Sequence, residues 1–363
     1  MARREHGSPG KRGSDAQEAV AARLRQGLVD ELISKGYIDL DDRPLEEAFR
    51  AVPRHLFVAG VADPGYAYRD EVIPLKPGAS TVSQPSVVAI MLKGLELEPR
   101  LKVLEIGTAS GYSAALLAEL VGPEGKVYTV EIDPQLAQQA RQALDRAGYP
   151  GVEVRAGDGS LGLPEEAPFD RIVITATTAR ISPQLVEQLA VGGVLLTPFN
   201  LPGLPSLLLR LRKEVNPGEA PGRPAHLDHG DLRLAGEFVG VPVCFVPLRG
   251  AYRGDDRRGA DSDVLDPDGG RALARALALV LRRMPGLPLD EQMGLGLMGV
   301  WKYREAAERI DEDTILNAWR AEGRPGLKRF GVEVAPEALR LKQAVDLEKL
   351  RIFVKSLGNQ VDI

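Results

Sequence analysis

An acidic residue and three small residues alternate within one short segment, in the order Glu105-x-Gly107-x-Ala109-x-Gly111. Glycine allows the backbone to approach a ligand closely, and unpaired N–H groups at the start of a helix point toward whatever binds there. A carboxylate two residues before the first glycine would repel a pyrophosphate but attract a cation. The expected chemistry is therefore the binding of a positively charged small molecule.

The flanking residues predict the elements that would hold this turn. An apolar strand precedes it (Val103, Leu104, Ile106), and the Ala- and Leu-rich segment through Leu120 has the spacing of a buried helix face. Strand, turn and helix in this order open a doubly wound nucleotide-type fold. S-adenosylmethionine carries an ammonium and a sulfonium group and no phosphate, so it suits the acid better than a dinucleotide does. The alternative is an ordinary strand-to-helix turn without a ligand.

Two further acids follow predicted strands. Residues 126–133 predict a strand, and Glu131 near its end lies about 24 residues beyond Gly107, close to the offset at which an acid bonds ribose hydroxyls in dinucleotide-binding folds. A third strand over residues 152–155 leads into Gly157-Asp158-Gly159. Asp158 would lie on the rim of the crevice where ligands bind in open α/β sheets, or it would simply form a turn between two glycines.

The alternation of strands with helices predicts an α/β fold class. Further strands are expected over residues 169–176 and 193–198, with a closing strand over 241–248. We predict a doubly wound, mostly parallel, Rossmann-like sheet with helices on both faces, and a small, largely helical C-terminal extension.

Composition shifts along the chain predict four regions. Residues 1–14 are a disordered basic tail, residues 15–250 the main domain, residues 251–270 a linker rich in Asp, Arg and Gly, and residues 271–363 a C-terminal accessory domain. In the accessory domain, helices are expected over residues 271–284 and 313–322, and residues 339–353 carry apolar residues at helix-like spacing. Residues 213–230 predict a solvated loop, so its two histidines (His226, His229) are not expected to bind a metal.

Composition also limits the class of protein. The 363 residues have a net charge of −5 and contain a single cysteine, Cys244. This composition gives no electrostatic footprint for nucleic acid, excludes an intramolecular disulfide and fits a reducing cytosol. Because no apolar run is long enough to cross a membrane, we expect a soluble, cytoplasmic protein that has no membrane partner. The sequence says nothing about oligomeric state.

Several segments together resemble one family, the protein-L-isoaspartate O-methyltransferases. The resemblance covers roughly residues 20–250 and rests on these segments, in this order: Val-Pro-Arg-His-Leu-Phe-Val at 52–58, Thr-Val-Ser-Gln-Pro at 81–85, residues 103–112, Tyr-Thr-Val-Glu at 128–131, Gly-Asp-Gly at 157–159, Phe169-Asp170 and Phe-Val-Pro-Leu at 245–248. The glycine turn is typical of methyltransferases in general, whereas the Pro-Arg-His-Leu-Phe and Ser-Gln-Pro segments are more specific to this family.

The resemblance implies a role for each matching residue. S-adenosylmethionine would be the cofactor and S-adenosylhomocysteine its product, with no metal. The methionine part would be held by Glu105, Gly107, Thr108, Ala109, Ser110 and Gly111. Glu131, followed by Ile132, would bind the ribose hydroxyls, and Asp158, followed by Gly159, the adenine amino group. Ser83, flanked by Val82 and Gln84, would lie beside the reacting carboxylate.

Two positions depart from the family pattern. Ala109 stands where glycine is usual, and if the backbone there needs a positive φ, alanine costs about 1 kcal/mol or more. Ala79-Ser80 stands where Gly-Gln is common, which bears on substrate preference.

The expected chemistry tolerates a site that is poor in bases. Methyl transfer to a carboxylate is an in-line displacement at a sulfonium carbon, and a carboxylate with a pKa near 4 is already ionised at neutral pH. Ser83 would orient this carboxylate through its hydroxyl without neutralising it. The alternative role of Ser83 is to cap the helix that begins at Pro85.

The resemblance implies an enzyme that methylates L-isoaspartyl residues of proteins or peptides, a repair reaction that proceeds through a succinimide. Residues 317–331 look similar to the tails of homologues that convert an aspartate of a ribosomally made precursor peptide to aspartimide or isoaspartate. Trp319, Arg324 and Arg329 would then clamp the peptide, or Trp319 and Phe330 would simply form the core of the tail. A non-catalytic cofactor-binding module is an alternative of another class, and a dehydrogenase is disfavoured by Glu105 and Ala109.

Overall fold

A computed structural model describes residues 9–58, 60–76, 80–200, 206–215, 232–243, 245–251, 291–292, 295, 312–324, 330–334 and 350–354. The chain divides into two compact units. The first comprises residues 1–93, 97–102 and 108–157, and the second comprises residues 94–96, 103–107 and 158–363. None of the described helices combines the length and the apolarity that crossing a membrane requires.

Helices make up much of the first unit, and side chains cap several of them. The Asp42 carboxylate accepts the Leu45 N–H at the start of α2, which buries Leu45 and Phe49 on one face. Asp133 caps α7 in the same way, and Gly148 ends that helix in the left-handed conformation. Across the described residues of both units the helices are α1 (Pro9–Ser34), α2 (Arg43–Ala51), α3 (Arg54–Phe57), α4 (Pro64–Ala67), α5 (Pro85–Gly94), α6 (Tyr112–Val121), α7 (Pro134–Ala147), and, in the second unit, α8 (Pro183–Gln188) and α9 (Glu312–Ala321).

The first unit also holds two pairs of strands. β1 (Ile73–Lys76) and β2 (Ser80–Val82) are antiparallel. β4 (Lys126–Glu131) and β5 (Glu153–Ala156) are parallel, and α7 connects them, which makes a βαβ unit. Because β5 ends at Ala156, residues 157 and 158 follow directly from the carboxyl end of a parallel strand.

The second unit is built on a sheet with the strand order β3-β6-β7-β8-β9-β10-β11. β3, β6 and β7 are parallel, and each later strand is antiparallel to the one before it. Phe169, Phe199 and Leu208 lie in its fully buried core. The strands are β3 (Lys102–Ile106), β6 (Phe169–Ile174), β7 (Leu189–Phe199), β8 (Ser206–Val215), β9 (Leu232–Val243), β10 (Phe330–Val334) and β11 (Leu350–Val354).

The α/β fold class is confirmed, and the antiparallel part of the sheet is larger than predicted. The closing strand was expected over residues 241–248, but β9 ends at Val243, and residues 213–215 belong to β8 rather than to the predicted loop. Residues 246 and 248 instead bond through their backbone to Thr177. These two strands were not predicted because a Pro- and Gly-rich segment, which contains His226 and His229, separates them in the sequence. Residues 216–231 lie outside the described residues.

The ends of the chain also differ from expectation. α1 begins at Pro9, within the segment predicted to be a disordered tail. α9 confirms the helix expected over residues 313–322, whereas β11 occupies the end of the segment 339–353, where helix-like spacing was seen. The described part of the extension therefore contains strands as well as a helix. Its predicted helix over residues 271–284 lies outside the described residues, as does most of the predicted linker.

Candidate functional site

The turn after β3, which we call the glycine turn (residues 105–111), is shaped by three positive φ angles. They are 102° at Gly107, 49° at Ala109 and 87° at Gly111. The backbone carbonyl of Gly107 accepts the Thr175 hydroxyl at 2.7 Å, and a Cβ on Gly107 would collide with that hydroxyl. Glycine is therefore required at residue 107. The positive φ at Ala109 is the condition under which alanine was expected to be strained.

The Glu131 carboxylate fixes the glycine turn from the end of β4. Its Oε2 accepts the Ala109 N–H at 2.9 Å, and its Oε1 accepts the Asp133 N–H at 3.1 Å. Glu131 is only 4% exposed. Hydrogen bonds to an ionised acceptor are the stronger kind, so this acid ties two successive connections of the first unit together.

The other polar residues of the glycine turn are enclosed. Glu105 is fully buried in β3, Thr108 shares a hydrogen bond of 2.7 Å with the Thr129 hydroxyl, and Ser110 Oγ accepts the Tyr112 N–H at 3.4 Å. The N-cap of α6 is Gly111, which has no side chain to cap the helix. The Tyr112 N–H at the start of α6 is therefore met by the Ser110 side chain rather than by the N-cap residue.

Asp158 has the structural role that was its alternative interpretation. Its Oδ1 accepts the Ser160 N–H at 2.9 Å and the Ser160 hydroxyl at 2.6 Å, which caps a short 3-10 helix (Gly159–Leu161). Its Oδ2 accepts the Ala251 N–H at 2.7 Å. The preceding Gly157 donates its N–H to the Glu131 carbonyl at 2.9 Å, so the connection after β5 is anchored to the end of β4.

Ser83 lies in a short connection between β2 and α5, which we call the Ser83 segment (residues 80–86). The Asp70 carboxylate accepts the Ser86 backbone N–H at 2.8 Å and a hydrogen bond from the Gln84 side-chain Nε2 at 3.0 Å. Asp70 therefore does the capping that was the alternative role of Ser83. Among the described residues, no partner bonds to the half-buried Ser83 hydroxyl.

A buried arginine holds the same segment from the other side. Arg54, the first residue of α3, donates through Nη2 to the Ser83 carbonyl at 3.0 Å and through Nε to the Ala67 carbonyl at 2.9 Å. Its neighbour His55 bonds through Nδ1 to the Tyr68 hydroxyl at 2.8 Å, and burial lowers the pKa of His55. His55 is thus a hydrogen-bonded structural residue.

An ion pair joins the β1–β2 hairpin to the start of α7. Lys76 Nζ lies 2.7 Å from Asp133 Oδ2, while Asp133 Oδ1 accepts the Gln135 N–H at 3.0 Å. The bond from Lys76 lowers the pKa of Asp133. The hairpin that precedes Ser83 is therefore tied to the residue whose N–H bonds to Glu131.

Sequence reasoning named the residues of the site but missed those that support them. No role was predicted for Asp70, Lys76 or Thr175. Arg54 was noted only as part of the segment at residues 52–58 that resembles the family. The signal for Arg54 was present, because a charged residue inside the apolar run Val-Pro-Arg-His-Leu-Phe-Val must either face solvent or find buried partners. Asp70 and Thr175 lie in no pattern that distinguishes them.

The described part of the extension does not form the proposed peptide clamp. Trp319 is fully buried, and the Arg324 guanidinium stacks over its ring, with 5.1 Å between Cζ and the ring centroid, while it also pairs with Glu291 at 2.8 Å. Phe330 is also fully buried. These aromatic side chains are the core of the tail, as the alternative held; Arg329 lies outside the described residues. No group of three or more His, Cys, Asp or Glu side chains in the described ranges is placed to hold a metal ion.

Comparison with known proteins gives one consistent family. Residues 23–219 match the family described as protein-L-isoaspartate(D-aspartate) O-methyltransferase. The protein-L-isoaspartate O-methyltransferase of Aeropyrum pernix is 46% identical over 253 residues, covering 69% of this chain and 88% of that protein. The protein of the same name from Ignicoccus hospitalis is 46% identical over 174 residues, which are 48% of this chain and 81% of that protein.

Solved structures support the fold. A protein-L-isoaspartate O-methyltransferase aligns with a TM-score of 0.59 at 22% identity, covering 92% of this chain and all of the other. A putative protein-L-isoaspartate O-methyltransferase from Plasmodium falciparum, solved with S-adenosyl-L-homocysteine, aligns with a TM-score of 0.50 at 20% identity over 62% of this chain and 98% of its own.

Proposed function

The chain belongs to the protein-L-isoaspartate(D-aspartate) O-methyltransferase family, and we propose that it transfers a methyl group from S-adenosylmethionine to the carboxylate of L-isoaspartyl residues in proteins and peptides. The observation that carries this proposal is the family match over residues 23–219, which includes the Ser83 segment, the glycine turn, Glu131 and Asp158. The enzyme is a carboxyl O-methyltransferase.

The groups around the glycine turn suit the parts of this methyl donor. The positive end of the α6 dipole, at the Gly111 N-cap, suits the carboxylate of its methionine part, and acidic residues suit its ammonium group and ribose hydroxyls. Positive φ angles at Gly107 and Gly111 let the backbone come close. We assign the methionine part to Glu105, Gly107, Thr108, Ala109, Ser110 and Gly111.

We assign the nucleoside part of the donor to two acids near the carboxyl ends of β4 and β5. We assign the ribose hydroxyls to Glu131, with Ile132 beside it, and the adenine amino group to Asp158, with Gly159 beside it. Each Glu131 oxygen accepts one backbone N–H, and a carboxylate oxygen can accept more than one hydrogen bond. Glu131 would thus bind the donor and shape the turn with the same atoms.

The reaction requires the protein to align the acceptor oxygen with the methyl carbon, and it requires no proton transfer. The bound donor supplies a methyl carbon that is made electrophilic by a sulfonium group. The acceptor carboxylate is ionised at neutral pH, so no general base is needed. Holding its oxygen in line with the methyl carbon, and excluding water, contributes about 7–11 kcal/mol in favourable cases.

Ser83 is the residue that we assign to the acceptor, together with Val82 and Gln84. Its hydroxyl has no partner among the described residues, so it can donate to one carboxylate oxygen of the substrate and leave the other to react. A neutral donor orients the carboxylate without lowering its nucleophilicity as a cation would.

The product determines what happens next. A methyl ester on an isoaspartyl residue is attacked by the backbone nitrogen of the following residue, methanol leaves, and a succinimide forms. Water then opens the ring at either carbonyl, so part of the product is normal aspartate. Repair therefore needs only repeated methylation, with no second activity in this chain.

We assign residues 15–250 to the catalytic domain, residues 251–270 to a linker and residues 271–363 to an accessory domain. The net charge of −5 supports a protein or peptide acceptor rather than nucleic acid, and the single cysteine supports a cytoplasmic location. The proposed chemistry requires no metal ion.

The test is a methylation assay with the full-length chain, methyl-labelled S-adenosylmethionine, an isoaspartyl peptide and its aspartyl isomer. We expect base-labile label on the isoaspartyl peptide only. Label on neither peptide would refute the proposal. Label on the aspartyl peptide, followed by loss of methanol to give a peptide lighter than the starting one by one water, would favour a peptide-modifying enzyme.

Ser83→Ala sharpens the assay. We expect kcat to fall by about tenfold because the acceptor loses one orienting donor, while the affinity for the methyl donor changes by less than about twofold. Ser34→Ala is the matched control, since the Ser34 hydroxyl bonds only to the Glu31 carbonyl at the end of α1. A kcat for Ser83→Ala equal to that of the control would remove Ser83 from the mechanism.

A further inference from the structure

Arg54 is a charged residue in the interior of the first unit. It is 0% exposed, and its guanidinium bonds to backbone carbonyls: Ala67 at 2.9 Å, Ser83 at 3.0 Å and, at the limit of a hydrogen bond, Glu71 at 3.5 Å. Its Nη1 has no acceptor among the described residues, and in the same part of the chain no carboxylate pairs with it. Backbone carbonyls are thus its direct hydrogen-bond partners, and the Asp70 carboxylate adds a longer-range favourable charge interaction.

The face of the same guanidinium lies on Tyr112. The distance from Arg54 Cζ to the centre of the Tyr112 ring is 4.7 Å, which is cation–π geometry. Burial raises the pKa of Tyr112 to about 12, so the ring under the cation is a neutral phenol at physiological pH. Tyr112 is the first residue of α6 and follows Gly111 directly, so it is the end of the glycine turn that Arg54 touches.

Stability alone does not account for an arginine here. A buried charge that has no carboxylate within ion-pair distance among the described residues is costly to desolvate, and burial lowers the pKa of the Arg54 guanidinium although Asp70 opposes that shift. The rings of Phe49 and Phe57 pack edge-on against Tyr112, so an apolar side chain at residue 54 would suit these surroundings. What the arginine adds is a rigid link between two backbone segments.

We infer that Arg54 is a positioning residue, which fixes the Ser83 carbonyl relative to the first residue of α6 and so holds the acceptor-binding segment in register with the methyl donor. This inference rests on the proposed function, because it assigns the Ser83 segment to the acceptor and the start of α6 to the donor. Arg54 touches neither substrate and acts through Ser83 and Tyr112.

The shape of the guanidinium makes this link possible. It is planar, it donates in several fixed directions within its plane, and its face remains free to stack on an aromatic ring. A lysine ammonium is a single point on a flexible stem, so it cannot bond to Ser83 and Ala67 in fixed directions while it lies flat on Tyr112. Arg54→Lys therefore keeps the charge and most of the volume but loses the geometry.

The experiment compares Arg54→Lys with wild type in the full-length chain, using an isoaspartyl peptide and S-adenosylmethionine. We expect kcat/KM for the peptide to fall at least about tenfold, since misplacement of a reacting group by about 1 Å costs up to about a hundredfold. We expect the dissociation constant of the methyl donor to change by less than about threefold, since the backbone of the glycine turn keeps its bond to Glu131.

Arg171→Lys is the matched control. Arg171 is also buried, and it donates to the backbone carbonyls of Leu95 and Glu96 at the end of α5, in the second unit. We expect Arg171→Lys to lower the midpoint of urea unfolding, as Arg54→Lys does, but to leave kcat/KM for the peptide within about twofold of wild type. Equal peptide kinetics in the two variants would overturn the inference.

A second variant covers the case in which Arg54→Lys does not fold. Tyr112→Leu leaves Arg54 and its carbonyl partners in place but removes the ring beneath the guanidinium, and the inference requires a loss of peptide kcat/KM there too. Wild-type peptide kinetics in Tyr112→Leu would overturn it. Failure of wild type itself to methylate any isoaspartyl peptide would refute the proposed function and, with it, this inference; an active wild type with unaffected variants would refute the inference alone.

Discussion

The glycine turn and the Ser83 segment are both held firmly, but by different means. The glycine turn owes its shape to its own backbone, with positive φ angles at Gly107, Ala109 and Gly111, and to one acid at the end of the next strand. The Ser83 segment has ordinary backbone and is held by two side chains from earlier in the sequence, Arg54 and Asp70. One segment is shaped by its local sequence and the other by its surroundings.

This difference separates the two halves of the proposed reaction. Changes at the glycine turn should alter the affinity for the methyl donor, and changes around the Ser83 segment should alter the kinetics with the acceptor. If the two groups of variants gave the same pattern of effects, the segments would not have separate roles.

Glu131→Ala should have the largest effect. It removes the acceptor of the Ala109 and Asp133 N–H groups, and hydrogen bonds to charged groups contribute about 1.5–3 kcal/mol each. We expect the affinity for S-adenosylmethionine, measured by calorimetry, to fall by about a hundredfold or more. Glu124→Ala is the control, since Glu124 is an exposed acid paired with Arg100. A loss of less than about threefold would mean that Glu131 does not bind the donor.

Asp70→Ala should affect the acceptor side. It leaves the Ser86 N–H uncapped and the Gln84 amide unpaired, and losing a cap costs about 1 kcal/mol of stability. We expect peptide kcat/KM to fall by about tenfold and donor affinity to stay unchanged. Asp42→Ala removes the cap of α2 instead and should cost similar stability without changing peptide kinetics. Identical kinetics in both variants would contradict a positioning role for Asp70.

Ala109→Gly should stabilise the protein. Its φ of 49° is a conformation that glycine adopts without strain, so removing the Cβ should gain up to about 1 kcal/mol, or roughly 2–4 °C in Tm. Ala114→Gly is the control: Ala114 lies in α6, where glycine should instead cost about 1 kcal/mol. A lower Tm for Ala109→Gly would mean that the alanine methyl group packs well enough to offset the strain.

Lys76→Gln should have the smallest effect, because it removes one exposed ion pair between the hairpin and α7. The folded-state pKa of Asp133 lies below its unfolded value, so the pair stabilises the fold above the unfolded pKa, and this contribution disappears as pH falls through the folded pKa. The stability of the variant should therefore approach that of wild type in acid. Lys126→Gln, at the exposed start of β4, should show no such pH dependence; urea titrations at several pH values measure both.

The features that were predictable from sequence are those that a short pattern encodes. The strand before Gly107, the helix after Gly111 and the acid that ends β4 each follow from local spacing of apolar and small residues, and each lies where it was expected. The positive φ at Ala109 was considered only as a condition, because the family resemblance places glycine there.

The features that were not predictable depend on contacts distant in sequence. Arg54 and Ser83 meet only once α3 and α5 are packed, and nothing in the residues near Asp70 shows that its carboxylate will cap α5. β8 and β9 were missed for a related reason: strands at the antiparallel side of a sheet are defined by pairing with each other, which a Pro- and Gly-rich connection conceals. Capping was an alternative role for Ser83 because the nearest polar residue is the obvious candidate when distant ones are unknown.

The bond between the Ala251 N–H and Asp158 has a practical consequence for anyone who shortens this chain. Leu248 looks like a natural end point, because its N–H completes the backbone bonding to Thr177. A chain cut there would nevertheless lose the donor to Asp158 Oδ2, and with it Gly250, whose lack of a Cβ allows the backbone to pass against that carboxylate. Any truncation intended to test the extension should therefore end after residue 251, or it will also change the residue assigned to the adenine.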